Sequence, residues 1–309
     1  MEKKRSFGAV LVGGWMRLHG LLPLGYHYFW GRVITRLAGK RLRYRRDVVM
    51  TNLARSFPDK KYNELRKICD EFYVHFGEII AEAIWFGARR GERGRKALRR
   101  QKLAVIENVE DFNAFYDRCS SVMLLNTHCG NWEVMGGIGQ FDPGDPARRG
   151  WHEPQVVVLY KKLTSRLWDQ VMARNRCAPV LDRGFEGYVE SADILRYAVR
   201  NRHEKKLYIF NTDQHPYKGA ASCDVGEFMH QKTTAMIGGA ALACKLDMGV
   251  SYIRWRRLSR GHYGLEFVPL TEHASETTPE EIMRRYHALL EEDLNEQPWN
   301  YLWTHKRWK

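Results

Sequence analysis

Between Ser121 and Glu133 the chain reads SVMLLNTHCGNWE. An apolar run with the look of a buried strand stops at Asn126-Thr127, and His128, Gly130 and Asn131-Trp132-Glu133 follow at once. A buried strand requires a sheet around it, and this one delivers an imidazole and a carboxylate to its end. Histidine has the proton affinity suited to taking a proton from a hydroxyl near neutral pH, and a carboxylate beside it fixes the tautomer and offsets the imidazolium charge. On a regular helix five steps of about 100° would leave His128 and Glu133 well over a right angle apart. The two can meet only if His128 lies in the turn and Glu133 in a first helical turn. Gly130 permits a tight backbone, Asn131 is a good N-cap, and Glu133 would lie near the positive end of the helix dipole. The residues alone leave a second reading open, in which His128 satisfies a strand end and Glu133 is an ordinary N-terminal helix charge.

The rest of the chain alternates strands with helices. Leu65, Ile68, Phe72, Phe76, Ile79, Ile80 and Ala83 recur at helical spacing and predict a long core helix over Asp59–Phe86. Arg89–Lys102, with two glycines, reads as a polar connector. Leu103–Val109 and Ser121–Leu125 read as strands around a helix at Glu110–Arg118, Gly136–Gly150 as a loop and Gln155–Tyr160 as a strand. Thr164 or Ser165 can cap a helix to about Arg174. Val189–Arg202 reads as a helix, Lys206–Asn211 as a strand, Met236–Cys244 as a helix, and Gly249–Arg254 and Gly264–Pro269 as strands. Thr278-Pro279-Glu280-Glu281 opens a last helix to about Asn295. The pattern predicts an α/β fold with a mostly parallel or mixed sheet flanked by helices. In such sheets ligands gather beyond the carboxyl ends of strands. Three polar clusters fall there: Asn126-Thr127-His128, Tyr160-Lys161-Lys162 and Asn211-Thr212-Asp213-Gln214.

With 309 residues, 44% hydrophobic, the chain can fill one large domain with an appended segment. Six scattered cysteines, with no C-x-x-C and no metal spacing, read as free thiols. A nucleophilic Cys129 is disfavoured, because adjacent residues on an extended turn point apart. The formal net charge of +14 favours acidic partners without choosing among nucleic acid, anionic lipid and acidic protein. No nucleic-acid-binding motif, P-loop or dinucleotide loop is present. Near the N-terminus the apolar stretches are interrupted by Arg17, His19 and Arg32 and are too short for an ordinary spanning helix of about 20 residues. Trp15, Tyr26, Tyr28, Phe29 and Trp30 lie among arginines, and the basic run Lys40–Arg46 follows. Aromatic rings with positive charge suit the headgroup layer of an anionic bilayer. The plainer reading is an amphipathic core helix with a solvated basic loop. The expected division is a membrane-associating helical and basic segment over residues 1–50 and an α/β domain over 51–309.

Taken together, these segments resemble the bacterial lipid A late acyltransferases, a branch of the lysophospholipid acyltransferase-like superfamily. The similarity runs through Asn52-Leu53, Phe57-Pro58 and Thr127–Glu133, which looks like the H-x-x-x-x-[DE] catalytic motif. It continues through Val158–Lys161 with a downstream arginine, Thr212-Asp213-Gln214, Phe228 to Thr234, and the ending Gln297–Lys309. Three positions depart from the pattern: Lys161 replaces the usual arginine, and Met229-His230 replace a Phe-Gly pair. The resemblance implies transfer of a fatty acyl chain from an acyl carrier protein thioester to a hydroxyl of a phosphorylated lipid A precursor. It places the protein at the cytoplasmic face of the bacterial inner membrane, against an anionic surface. It implies His128 as general base, Glu133 as its partner, and Arg174, preferred over Arg176, at the oxyanion, with no covalent acyl-enzyme. Asn131, Tyr160, Lys161, Asp213, Thr233, His305 and Arg307 would form the substrate site, Asp213 by organising it through a hydrogen bond or ion pair, and the last two either through phosphate or as a charged rim beside a structural Trp299 and Trp303. No metal, cofactor or nucleic acid is implied. Another glycolipid, an amino lipid or a lysophospholipid could be the acceptor, and a non-catalytic lipid-binding protein is the alternative of another class.

Overall fold

Seven strands form the central sheet, in the order β1-β9-β8-β2-β5-β3-β4. They are β1 (Ala104–Ile106), β2 (Val122–Asn126), β3 (Val156–Tyr160), β4 (Tyr188–Glu190), β5 (Leu207–Asn211), β8 (Gly249–Ser259) and β9 (His262–Thr271). The computed structural model describes residues 6–142, 149–182 and 184–308. Every neighbouring pair in the sheet is parallel except β8 with β9. β2 lies near the middle, and Val122–Leu125 are wholly buried, so its apolar residues run consecutively rather than alternate. The α/β class and mixed, mostly parallel sheet match the reading of the sequence.

The helices begin with α1 (Phe7–Gly20), α2 (Leu24–Lys40), α3 (Arg46–Ser56) and α4 (Tyr62–Gly87). α6 (Val109–Arg118) joins β1 to β2, α7 (Arg166–Arg176) joins β3 to β4, α8 (Ile194–Arg200) joins β4 to β5, and α9 (Gly238–Lys245) precedes β8. α10 (Pro279–Glu296) starts as its sequence predicts, with Pro279 in the first turn and the Thr278 hydroxyl accepting from the Glu281 N–H at 3.2 Å. Leu65, Ile68, Phe72 and Ile79 of α4 are buried. α2 lies across α4 at Gly31 and Gly77, where a side chain on Gly31 would come within 2.5 Å of the Gly77 carbonyl oxygen.

Four expectations change. Arg89–Lys102 is not a connector: α5 (Gly91–Gln101) forms there, because Gly94 and Leu98 are buried and Arg95 and Arg99 reach Glu153 and Gln140, while Glu92, Arg93, Lys96 and Arg100 stay exposed. Gly136–Gly150 is not wholly a loop. A 3-10 helix spans Trp132–Gln140, and residues 143–148 lie outside the described residues. Val189 belongs to β4, paired with Leu159 of β3, and helix starts only at Ile194. An antiparallel hairpin of β6 (Ser222–Phe228) and β7 (Gln231–Met236) was not anticipated.

Among the described residues no single helix is long and apolar enough to cross a membrane. α1 and α2 satisfy length and composition only as a pair bent by 116°. Their outward faces expose Phe7, Leu11, Trp15, Leu18, Phe29, Trp30, Ile34 and Leu37. The inward side of α2 is part of the folded body, with His27, Tyr28, Thr35 and Gly39 buried.

Candidate active site

β2 and β5 are parallel neighbours in a register that sets Asn126 opposite Asn211. Two residues further on, His128 and Asp213 come side by side. His128 Nδ1 lies 2.7 Å from Asp213 Oδ1. An ionised carboxylate can only accept, so the Nδ1–H donates to it, and Nε2 is left with its lone pair. That nitrogen lies 3.2 Å from the Gln214 amide nitrogen, which donates to it. Asp213 is 1% exposed. Burial works against its charge, but His128, a backbone hydrogen bond and the more distant Arg307 together hold the carboxyl below its usual value.

The turn that carries His128 is tied down on several sides. The Cys129 N–H donates to the Thr127 hydroxyl at 3.1 Å, and the Gly130 N–H donates to Asn300 Oδ1 at 2.8 Å. Gly130 has φ +58°, and a Cβ there would come within 2.4 Å of the Trp255 ring, so only glycine fits. Tyr286 donates to the Asn126 carbonyl at 2.9 Å. Cys129 is itself buried, and burial pushes its thiol well above the ordinary range, opposite to what a thiolate nucleophile needs.

Glu133 sits in the first turn of the 3-10 helix, capped by Asn131, whose Oδ1 accepts from the Glu133 N–H at 3.2 Å. Its carboxylate does not reach His128. Arg176 forks onto both Glu133 oxygens at 2.7 Å, and Trp132 Nε1 donates to one of them at 3.1 Å. The Trp132 ring stands edge-on to the His128 ring, with centroids 4.9 Å apart. Arg176 also donates to the Tyr188 hydroxyl at 3.0 Å, and Tyr188 stacks on Tyr160 at 4.1 Å. Burial opposes the Arg176 charge, but Glu133 more than offsets it and drives its proton affinity up. The site thus holds two polar units. One is His128–Asp213–Gln214; the other is Glu133–Arg176–Tyr188.

Several expected contacts are placed differently. Arg174 is exposed on α7, and its carbonyl accepts from Arg90 at 3.1 Å; Arg176 is the arginine that meets the motif. Asn131 is fully buried and donates to Glu82 at 2.8 Å, so it braces the turn against α4 and has no face for substrate. Thr233 is buried too, accepting from Trp308 Nε1 at 2.9 Å and donating to the Gln231 carbonyl. Arg307 is 1% exposed, with one Nη donating to the Thr234 carbonyl and the other 3.2 Å from His287, so it offers no rim to a phosphate. The His305 carbonyl accepts from Asn52 at 2.9 Å, as does that of Trp303, which ties the final block to α3. Lys161 is exposed, its ammonium 3.6 Å from the Tyr217 ring centre. Among the described residues no group of three or more His, Cys, Asp or Glu could hold a metal ion.

Asp213 does organise the site through a charged hydrogen bond, as the resemblance implies, but the sequence reading did not name His128 as its partner. The signal was present: both strand ends read Asn-Thr followed by the acting residue, His128 in one and Asp213 in the other. Aligning the repeated Asn-Thr on parallel strands puts the pair together.

The whole chain, residues 1–309, matches the model of a family described as bacterial lipid A biosynthesis acyltransferase. No curated protein is matched.

Proposed function

Since the chain belongs to the bacterial lipid A biosynthesis acyltransferase family and is by that membership an acyltransferase, we propose that His128, held by Asp213, is the general base that moves a fatty acyl chain onto a hydroxyl of a phosphorylated lipid A precursor. The donor in this reading is an acyl carrier protein thioester. The observation that carries the reading is the 2.7 Å contact of His128 Nδ1 with the buried carboxylate at the carboxyl ends of two neighbouring parallel strands.

The acceptor hydroxyl replaces the Gln214 amide on Nε2 and gives up its proton there. Its oxygen attacks the thioester carbonyl, the C–S bond breaks as the tetrahedral oxyanion collapses, and the imidazolium returns the proton to the departing sulfur. Asp213 fixes the tautomer and offsets the transient charge. A serine or cysteine nucleophile has no part in this. Glu133 holds Arg176 rather than His128, and the remaining Arg176 N–H groups serve as donors to the oxyanion in this reading. α1 and α2 lie in the headgroup layer at the cytoplasmic face of the inner membrane, apolar faces down. The net charge of +14 draws both an acidic carrier protein and a phosphorylated lipid.

The test is labelled acyl-carrier-protein thioester with a panel of lipid acceptors. His128→Ala and Asp213→Asn should each lower transfer by about 100-fold or more, as expected for losing a base or its tautomer, with thermal unfolding little changed. Near-normal turnover without His128 would remove the mechanism. Transfer to a lysophospholipid but not to a lipid A precursor would reassign the acceptor.

A further inference from the structure

A cavity of ≈ 470 Å³ opens between α2 and α4, lined by neither His128 nor Asp213. Its size is that of a site for an organic group rather than a lone ion. Arg32, Arg36 and Lys40 of α2 form one wall; Asp70, Glu71 and Glu78 of α4 form the other, and Arg257 and Trp299 lie between them.

The charges on these walls are unequally used. Asp70 takes both Lys40, at 3.5 Å, and Arg46, at 3.0 Å. Glu78 is gripped by the Arg257 fork at 2.8 and 2.9 Å. Among the described residues Arg32, Arg36 and Glu71 have no hydrogen bond or ion pair. With Lys40 and Arg46 sharing Asp70, and Arg32 and Arg36 set against Glu71 alone, cations outnumber carboxylates around the cavity, and an anionic group offsets the excess. His75, 3% exposed, also lies on the cavity wall, its Nδ1 facing the Glu78 carboxylate at 3.5 Å.

The surroundings give the ligand's other half. Arg32, Arg36 and Lys40 recur every fourth residue and so lie along one line of α2. About a third of a turn round the same helix, Trp30, Ile34 and Leu37 form an exposed apolar stripe. A cationic cavity bordered by an apolar strip matches a molecule with an anionic head and an apolar tail. We propose that this cavity binds the phosphodiester headgroup of an anionic membrane phospholipid, with Arg32 and Arg36 on the phosphate and the acyl chains running out along Trp30, Ile34 and Leu37. This assignment does not depend on acyl transfer.

The probe is dihexanoylphosphatidylglycerol below its micellar concentration, titrated calorimetrically into the full chain. A monomeric lipid reads the cavity rather than adsorption to a surface. Saturable one-to-one binding is expected. Arg32→Gln with Arg36→Gln should weaken it about 10-fold or more, the scale of lost charge-assisted bonds to a phosphate. Both residues are exposed, so the fold should be kept. His128→Ala should bind as the unaltered chain does, which separates this result from that of the catalytic reading. Absence of saturable binding, or a double variant that binds normally, overturns the proposal. So does equal binding of dihexanoylphosphatidylcholine, equal competition by inorganic phosphate, or stronger competition by a phosphorylated lipid A precursor.

Discussion

Glu82 receives three donors and is closed off from solvent. Tyr28 and Tyr263 each donate to it at 2.9 Å and Asn131 at 2.8 Å, and none of its surface is exposed. Burial outweighs those bonds and raises its pKa to about 7. An unfolded chain would release the same proton near 4.5. Between the two values the folded chain keeps a proton that the unfolded one has lost, so stability falls as pH rises across that window and levels off above it. The size is on the order of 3 kcal/mol. Thermal unfolding of the protein and of Glu82→Gln, compared from pH 4.5 to 8, measures it: the unaltered chain should lose ground steadily against the variant. Parallel curves would show that Glu82 ionises freely. Glu82 reads in the sequence as a charge among apolar helix residues, and nothing local tells that Asn131 will lean on it. Asp213 differs, since its Asn-Thr prefix repeats that of His128. What the sequence lacks is the knowledge that β2 and β5 are neighbours. The H-x-x-x-x-E spacing drew Glu133 to His128, whereas the 3-10 turn aims it at Arg176.

At the scale of elements, α1 and α2 present apolar rings and aliphatic chains outward while their opposite sides are packed. Such faces insert into a headgroup layer with a gain that follows the apolar area buried. Replacing Trp15, Trp30 and Ile34 by serine should lower co-sedimentation with anionic vesicles by about 10-fold or more and leave the unfolding temperature nearly unchanged, since all three are exposed. Equal sedimentation of the triple variant would take these helices off the membrane. Elements were legible where their signals were local: Thr278-Pro279 at the head of α10, the stripe of α4, the apolar run of β2. They were hidden where packing or turn chemistry decided. Gly91 and Gly94 made α5 look like a linker. The hairpin of β6 and β7 turns through Met229 and His230, at φ 51° and 60°, a left-handed pair for which sequence favours glycine or asparagine.

For the molecule as a whole, the contacts that complete the site span long stretches of chain. His128 meets a carboxylate 85 residues on, Gly130 is held by a side chain 170 residues on, and Asn52 holds a carbonyl 251 residues away. Alternation of strands and helices announces an α/β sheet but not its strand order, and these pairs depend on that order. The Asn300 contact also sets a schedule for a growing polypeptide. At roughly 5–20 residues per second, on the order of ten to thirty seconds separate synthesis of Gly130 from synthesis of the side chain that clasps it. α1 and α2 emerge earlier still. Under the proposed seating of α1 and α2, the nascent chain meets the bilayer first and completes its site last. Ribosome-arrested chains halted before Pro298 should float with vesicles and transfer nothing; transfer by such chains would show that the clasp is dispensable.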